Sequence, residues 1–118
     1  MPTRIIPALA LIVATPVLAA QPLPAATEQT PSADLVESRL RGCLLAGSSA
    51  TDQPDLRTAV VQVRSFCGSQ IARVRDRRIA DATRGLSGAQ AEAAANRTIL
   101  ALNDEIARAI ASITGLKL

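Results

Sequence analysis

The sequence contains no histidine, tryptophan or tyrosine, and Phe66 is its only aromatic residue. Without histidine the chain has no Ser–His or Cys–His nucleophile pair, and it lacks the usual nitrogen ligand of zinc and copper sites. One aromatic side chain provides no platform for stacking nucleic-acid bases. The adjacent carboxylates of Asp104 and Glu105 point about 100° apart on a helix, so they do not form a converging pair for hydrolysis. We therefore expect no enzymatic activity, no metal or other cofactor, and no nucleic-acid partner.

Uncharged apolar sequence is concentrated at the N-terminus. Residues 5–18 follow Arg4 and carry no charge, and small residues occupy the −3 and −1 positions of a cleavage site that ends at Ala19. This run is shorter than the roughly 20 residues that a membrane-spanning helix needs, which disfavours a retained anchor. We expect residues 1–19 to be a signal peptide, cut after Ala19 or Ala20.

The charge balance is only mildly basic. The chain has 13 Lys and Arg residues against 10 Asp and Glu, a net charge of +3, and removing Arg4 with the signal lowers it by one. Lys117 is the only lysine, and this bias towards Arg and Ala is typical of bacterial genomes of high GC content. The export signal then predicts a periplasmic or secreted protein.

The remaining chain predicts a small all-α domain behind a short leader. Residues 20–31 are rich in Pro, Ala and Thr and show no apolar period, which is typical of a disordered segment. Residues 32–118 read as a single helical domain, a helical hairpin or three-helix bundle. The predicted helices cover about 33–46, 54–84 and 88–114.

Capping residues predict where the helices begin and end. Asp34, three residues before Glu37, can cap the first helix, and Gly47 suits the position after its last residue. Ser87 and Gln90 have the spacing of a capping box at the start of the third helix.

Apolar residues recur at helical spacing along the second and third helices. The second helix has the seam Leu56, Val60, Val63, Cys67, Ile71 and Val74. The third has the stripe Ala95, Ile99, Leu102, Ile106, Ile110 and Ile113. Gly68 interrupts the second helix and predicts close approach of a neighbouring backbone, while Leu100 points away from its stripe and is a candidate for contact with another surface. The stripes could close within one chain or complete a dimer.

Cys43 and Cys67 are the only cysteines. An even number of cysteines in an exported protein predicts a disulfide, with free thiols as the alternative. The spacing is too wide for a redox C-x-x-C motif. Closing this loop would stabilise the fold by about 3 kcal/mol.

The densest charged segment is rich in arginine. Arg73, Arg77 and Arg84 share one outer face of the predicted second helix. Asp81 lies four residues after Arg77 and three before Arg84, which favours a solvated, salt-bridged face. The alternative is a surface for an anionic component of the cell envelope or an acidic protein.

Arg78 is an exception to the solvent-facing arginines, because it falls at the centre of the apolar seam of the second helix when the seam is continued straight. Either the buried face has already rotated away from Arg78, or its side chain reaches an acidic partner across the bundle. We favour rotation, since Ile79 is the next residue.

The segment Leu86-Ser87-Gly88-Ala89-Gln90 resembles the Leu-Thr-x-x-Gln motif of small helical stress chaperones of the periplasm. The resemblance covers five residues once, where that family has the motif twice, and implies an exported all-helical chaperone. Two cysteines and a near absence of Met and aromatic residues depart from that family.

These observations together predict an exported helical protein with a non-enzymatic interaction or structural role. The expected partner is an unidentified protein or a second copy of the chain. The alternatives are an envelope stress chaperone or sensor, and a binder of anionic envelope surfaces through Arg73, Arg77 and Arg84.

Overall fold

The computed structural model describes residues 32–117, which form four α-helices and no strand. The helices are α1 (Ala33–Ala50), α2 (Leu56–Phe66), α3 (Gly68–Ala82) and α4 (Gly88–Thr114). The predicted all-α class is confirmed. The predicted signal peptide and leader lie outside the described residues. Within the described part of the chain, no helix combines the length and hydropathy needed to cross a membrane.

The predicted helix over 54–84 is two helices that meet at Cys67. This residue has φ −98° and ψ 16°, while the backbone hydrogen bonds on either side of it are kept at 2.9 Å. The distortion is therefore confined to one residue. The space where Gly68 would carry a Cβ is empty to 4 Å, so the expected close backbone approach there is wrong.

Two of the predicted caps differ from the structure. The hydroxyl of Ser32 accepts the amide of the third helical residue at 3.2 Å, so Ser32 caps α1 in place of Asp34. Ser87 precedes α4 as predicted but makes no side-chain capping bond. Gly88 has φ +58°, and this left-handed geometry turns the first peptide out of the conformation that a capping box needs. Gly115 ends α4 with φ +74°.

Gly47 lies inside α1 and does not end it. The helix continues to Ala50, and Thr51 ends it in an extended conformation. A Cβ on Gly47 would stand 3.2 Å from side-chain carbons of both Phe66 and Val63. The glycine therefore serves the close approach of α2 to α1, which corrects the predicted end near residue 46.

The core lies between all four helices and is built from the predicted seams. Its buried residues are Val36, Leu40 and Leu44 of α1, Ala59, Val63, Cys67, Ile71 and Val74 of the α2–α3 segment, and Leu102, Ile106 and Ile110 of α4. The ends of the predicted stripes are less buried, and Ile113 is 37% exposed. Leu100 is 68% exposed, as its position off the stripe predicts.

The first helix runs antiparallel to the α2–α3 segment, as a helical hairpin requires. Cys43 lies beside Cys67, with their Cα atoms 5.8 Å apart. Glu37, earlier in α1, meets Arg78, later in α3. The α1–α3 register follows from these two pairs, and it decides which side chains face each other in the site described below.

Candidate functional site

Arg78 joins three helices through its guanidinium group. Its Nε and one Nη donate to the carboxylate of Glu37 in α1 at 2.8 Å each. Both Nη atoms donate to Glu105 in α4, at 2.6 and 3.2 Å. The favoured expectation that the buried face rotates away from Arg78 is wrong. The alternative, an acidic partner across the bundle, is confirmed. We call Glu37, Arg78 and Glu105 the Arg78 cluster.

The electrostatics of the Arg78 cluster follow from these hydrogen bonds. The bonds from Arg78 hold the pKa of Glu37 below its usual value, while partial burial acts in the opposite direction. The hydrogen bonds to Glu37 raise the pKa of Arg78 most, and those to Glu105 raise it further. The side chains of Arg78 and Glu37 are each 29% exposed, against 58% for Glu105. The cluster is a tie between helices, because all three nitrogens of Arg78 already serve protein carboxylates.

The predicted disulfide between Cys43 and Cys67 is present. Cys67 is fully buried, and Cys43 packs against the same core from α1. Because Cys67 stands where α2 meets α3, one covalent bond restrains three helices. A bond of this kind persists in oxidising compartments and is rare in the cytosol.

The structure places the three arginines of the predicted anion face in different surroundings. Arg84 follows α3 in a turn, and its guanidinium binds Asp81 at 2.7 Å, the pairing that the spacing predicts. Arg77 is partly buried in α3. Arg73 is exposed and borders a cleft with Arg39 of α1, a residue that sequence reasoning missed. The sequence signal for Arg39 lies in the cysteine pair, whose register places that residue opposite α3.

The solvent-facing side of α2 carries exposed apolar residues. Phe66 is 67% exposed and Val61 is 62% exposed. On the α1 side, a shallow depression of about 110 Å³ is lined by Gly47, Ala50, Thr51, Gln62, Val63 and Phe66. On the α4 side, a wider groove of about 520 Å³ is lined by Asp55, Leu56, Arg57, Val60, Val61, Ala107 and Lys117. We call Val61, Phe66 and these two depressions the α2 surface.

Residues 32–117 bring no three potential metal-ligating side chains together. Comparisons with protein-family models, with curated proteins and with solved structures found no match to this chain.

Proposed function

We propose that the protein is exported to an oxidising compartment, the periplasm or the cell exterior, and acts there as a non-enzymatic interaction protein. The N-terminal apolar run and its small residues before the cleavage position support export. The Cys43–Cys67 disulfide supports the same compartment. The α2 surface is the proposed contact site.

The observation that carries this proposal is the exposure of Phe66 at the end of α2, beside a disulfide-bonded cysteine. Its ring is 67% exposed, while the neighbouring Cys67 is fully buried and tied to α1. Complete burial of a phenylalanine stabilises a complex by about 1.5–3 kcal/mol. A partner that covers the exposed two thirds therefore gains about 1–2 kcal/mol from this ring alone. The backbone beside Phe66 is tied to α1 through Cys67 before binding, so ordering of the backbone opposes the contact less.

Phe66 borders the depression on the α1 side, and the other part of the α2 surface, the groove on the α4 side, indicates the chemistry of the partner. The groove on the α4 side of α2 is mainly aliphatic, with Leu56, Val60 and Ala107 among its lining residues. Among the described residues that line it, Arg57 and Lys117 contribute two positive charges and Asp55 contributes one carboxylate. A protein segment with apolar side chains and flanking acidic residues would complement both features.

Site-specific photo-crosslinking tests the contact. A photoreactive side chain is placed at position 66 or at position 100 of the full chain, which is expressed with its own export segment. Leu100 is the matched control, because it is 68% exposed on a different helix. We expect one dominant protein adduct from position 66, and none of that mass from position 100. Equal adducts from both positions, or none from position 66, would contradict the proposal, while an adduct of twice the chain mass would identify the partner as a second copy.

Mass spectrometry of the exported form, without reduction, tests the location. The expected mass is that of a chain cut after Ala19 or Ala20 and lacking two hydrogens for the disulfide. An uncut chain in the cytoplasmic fraction would overturn export while leaving the crosslinking result to be judged separately.

A further inference from the structure

A second feature lies on the α1–α3 side of the bundle, away from the α2 surface. A cleft of about 220 Å³ is lined by Val36, Arg39, Gln70 and Arg73. Val36 is only 6% exposed and forms its apolar floor. Arg39 and Arg73 are exposed and come from the two facing helices. Two positive side chains therefore border one cleft from opposite walls.

No acidic side chain of residues 32–117 neutralises this pair. The described residues that line the cleft include no carboxylate. The acidic residues nearest in sequence are engaged elsewhere, Glu37 with Arg78 at 2.8 Å and Asp76 with a neighbouring arginine at 3.1 Å. Within residues 32–117, neither Arg39 nor Arg73 forms a salt bridge. Two guanidinium groups facing each other across a helix interface repel unless an anion lies between them.

Gln70 adds a neutral donor to the same cleft. Its Oε1 accepts a hydrogen bond from the hydroxyl of Ser69 at 3.0 Å. This bond assigns the oxygen to Ser69 and leaves the NH₂ group as the donor end of the amide. The cleft thus combines two guanidinium groups and one amide donor above the apolar side chain of Val36.

We infer that the Arg39–Arg73 cleft binds a phosphate group, either as free inorganic phosphate or as the headgroup of an anionic lipid. A planar carboxylate is satisfied by one bidentate arginine, whereas a tetrahedral phosphate presents oxygens to donors on opposite walls. The cleft volume is about 220 Å³, well above the space that one water molecule needs. That space admits one phosphate group with part of its hydration shell. This inference does not depend on the proposed function of the α2 surface.

The inferred site differs from the arginine face that the sequence suggests. Arg84 is paired with Asp81 at 2.7 Å, so it is not available as a free cation in the way that Arg73 is. The residues that matter are instead Arg39 and Arg73, with Gln70 as the neutral donor. Arg84 therefore provides a matched control, because its replacement removes the same charge.

A titration of the ¹⁵N-labelled protein with sodium phosphate, at constant ionic strength set by chloride, tests the site. We expect saturable shifts of the Arg39 and Arg73 side-chain Nε–H signals. Arg39→Gln and Arg73→Gln should each weaken phosphate binding about tenfold, the loss of one charge-assisted interaction. Arg84→Gln should change the affinity less than twofold. Shifts that do not saturate, or an equal loss in Arg84→Gln, would overturn the inference because they indicate general charge screening.

Sedimentation with lipid vesicles distinguishes the two sources of phosphate. Vesicles of phosphatidylcholine are compared with vesicles that also contain phosphatidylglycerol. Binding only to the anionic vesicles, lost in Arg73→Gln and kept in Arg84→Gln, assigns the site to a headgroup. Saturable binding of inorganic phosphate without vesicle binding assigns it to the free ion, and binding in neither arm overturns the inference. Circular dichroism at the same temperature confirms that both variants remain folded.

Discussion

Replacing Arg78 by methionine removes the cation from between two carboxylates while keeping side-chain length. Hydrogen bonds between charged groups contribute about 1.5–3 kcal/mol each when shielded from water, and much less when exposed. Glu37 and Arg78 are 29% exposed, and Glu105 is 58% exposed. We therefore expect Arg78→Met to lower the free energy of unfolding by about 2–3 kcal/mol, after allowance for solvent screening.

The carboxylates of Glu37 and Glu105 should contribute unequally to the stability that Arg78 provides. In double-mutant cycles with Glu37→Gln and Glu105→Gln, the coupling to Glu37 should be about 1–2 kcal/mol and the coupling to Glu105 about 0.5 kcal/mol. Urea unfolding followed by circular dichroism at pH 7 measures both. Arg108→Met is the control, because Arg108 binds Asp104 on the same helix at 3.1 Å with both side chains exposed, and it should change stability by about 0.5 kcal/mol or less.

The pH dependence supplies a second measurement of the same interaction. Arg78 lowers the pKa of Glu37 from its usual value near 4.5, so the unfolded chain takes up the proton first as the pH falls. The stabilisation is complete above the unfolded-state pKa and is lost as the pH falls through the lower folded-state pKa. The stability difference between wild type and Arg78→Met should therefore stay constant near neutral pH and shrink below about pH 4.5. A difference of unchanged size at pH 3, or a stronger coupling to Glu105 than to Glu37, would refute the reasoning.

Four further variants test other parts of the fold. Replacing both Cys43 and Cys67 by serine opens a loop with a sequence separation of 24. It should cost about 3 kcal/mol, a fall of roughly 12–24 °C in the thermal midpoint, and a fall of under 5 °C would contradict this. Gly42→Ala, with no atom within 4 Å of the new Cβ, should stabilise α1 by up to about 1 kcal/mol. Gly47→Ala meets side chains at 3.2 Å and should be about 1–3 kcal/mol less stable than Gly42→Ala in urea unfolding; equal values would exclude the close approach of α2. Phe66→Ala should change the unfolding free energy by less than about 1 kcal/mol because the ring is 67% exposed, and a larger loss would assign Phe66 to the core.

The parts of the fold that the sequence predicts well are those set by local periodicity. α4 covers Gly88–Thr114, the same residues as the predicted third helix, because its apolar stripe is regular and Gly115 suits a left-handed end. The buried seam around Val63 and Val74 follows from the same spacing. The apolar period of a helix with one solvent-facing side is visible in the sequence of that helix alone, so no knowledge of neighbouring helices is required.

The features that sequence reasoning missed depend on contacts between helices. Gly47 fits both a helix end and a close approach, and only the position of α2 decides between them. Arg78 on the line of the apolar seam is unfavourable until carboxylates from two other helices are in place, and the sequence of α3 alone does not show those carboxylates. The break at Cys67 arises where a disulfide joins the chain to α1. All three features depend on how neighbouring helices are aligned, which the sequence of one helix cannot specify.

The candidate phosphate site was missed for the same reason, although the sequence contained the necessary constraint. Once Cys43 and Cys67 are paired in antiparallel helices, the residue one turn before Cys43 must face the residues four to six after Cys67. This places Arg39 opposite Arg73 without any further information. Helical spacing along the predicted second helix alone groups Arg73 with Arg77 and Arg84, and only the register between α1 and α3 pairs it with Arg39.

Because the sequence of α3 is rich in arginine, the disulfide also helps to determine how α1 is aligned along α3. Arg73, Arg75, Arg77 and Arg78 lie within six residues, so an α1 helix shifted by one turn would still present Glu37 to a nearby guanidinium. Ion pairing alone therefore leaves neighbouring alignments of α1 close in energy. The Cys43–Cys67 bond forms in only one of them, since its Cα atoms must approach to 5.8 Å. Oxidation thus excludes the alignments that ion pairing alone would leave open, and it acts in the same direction as the buried residues of α1.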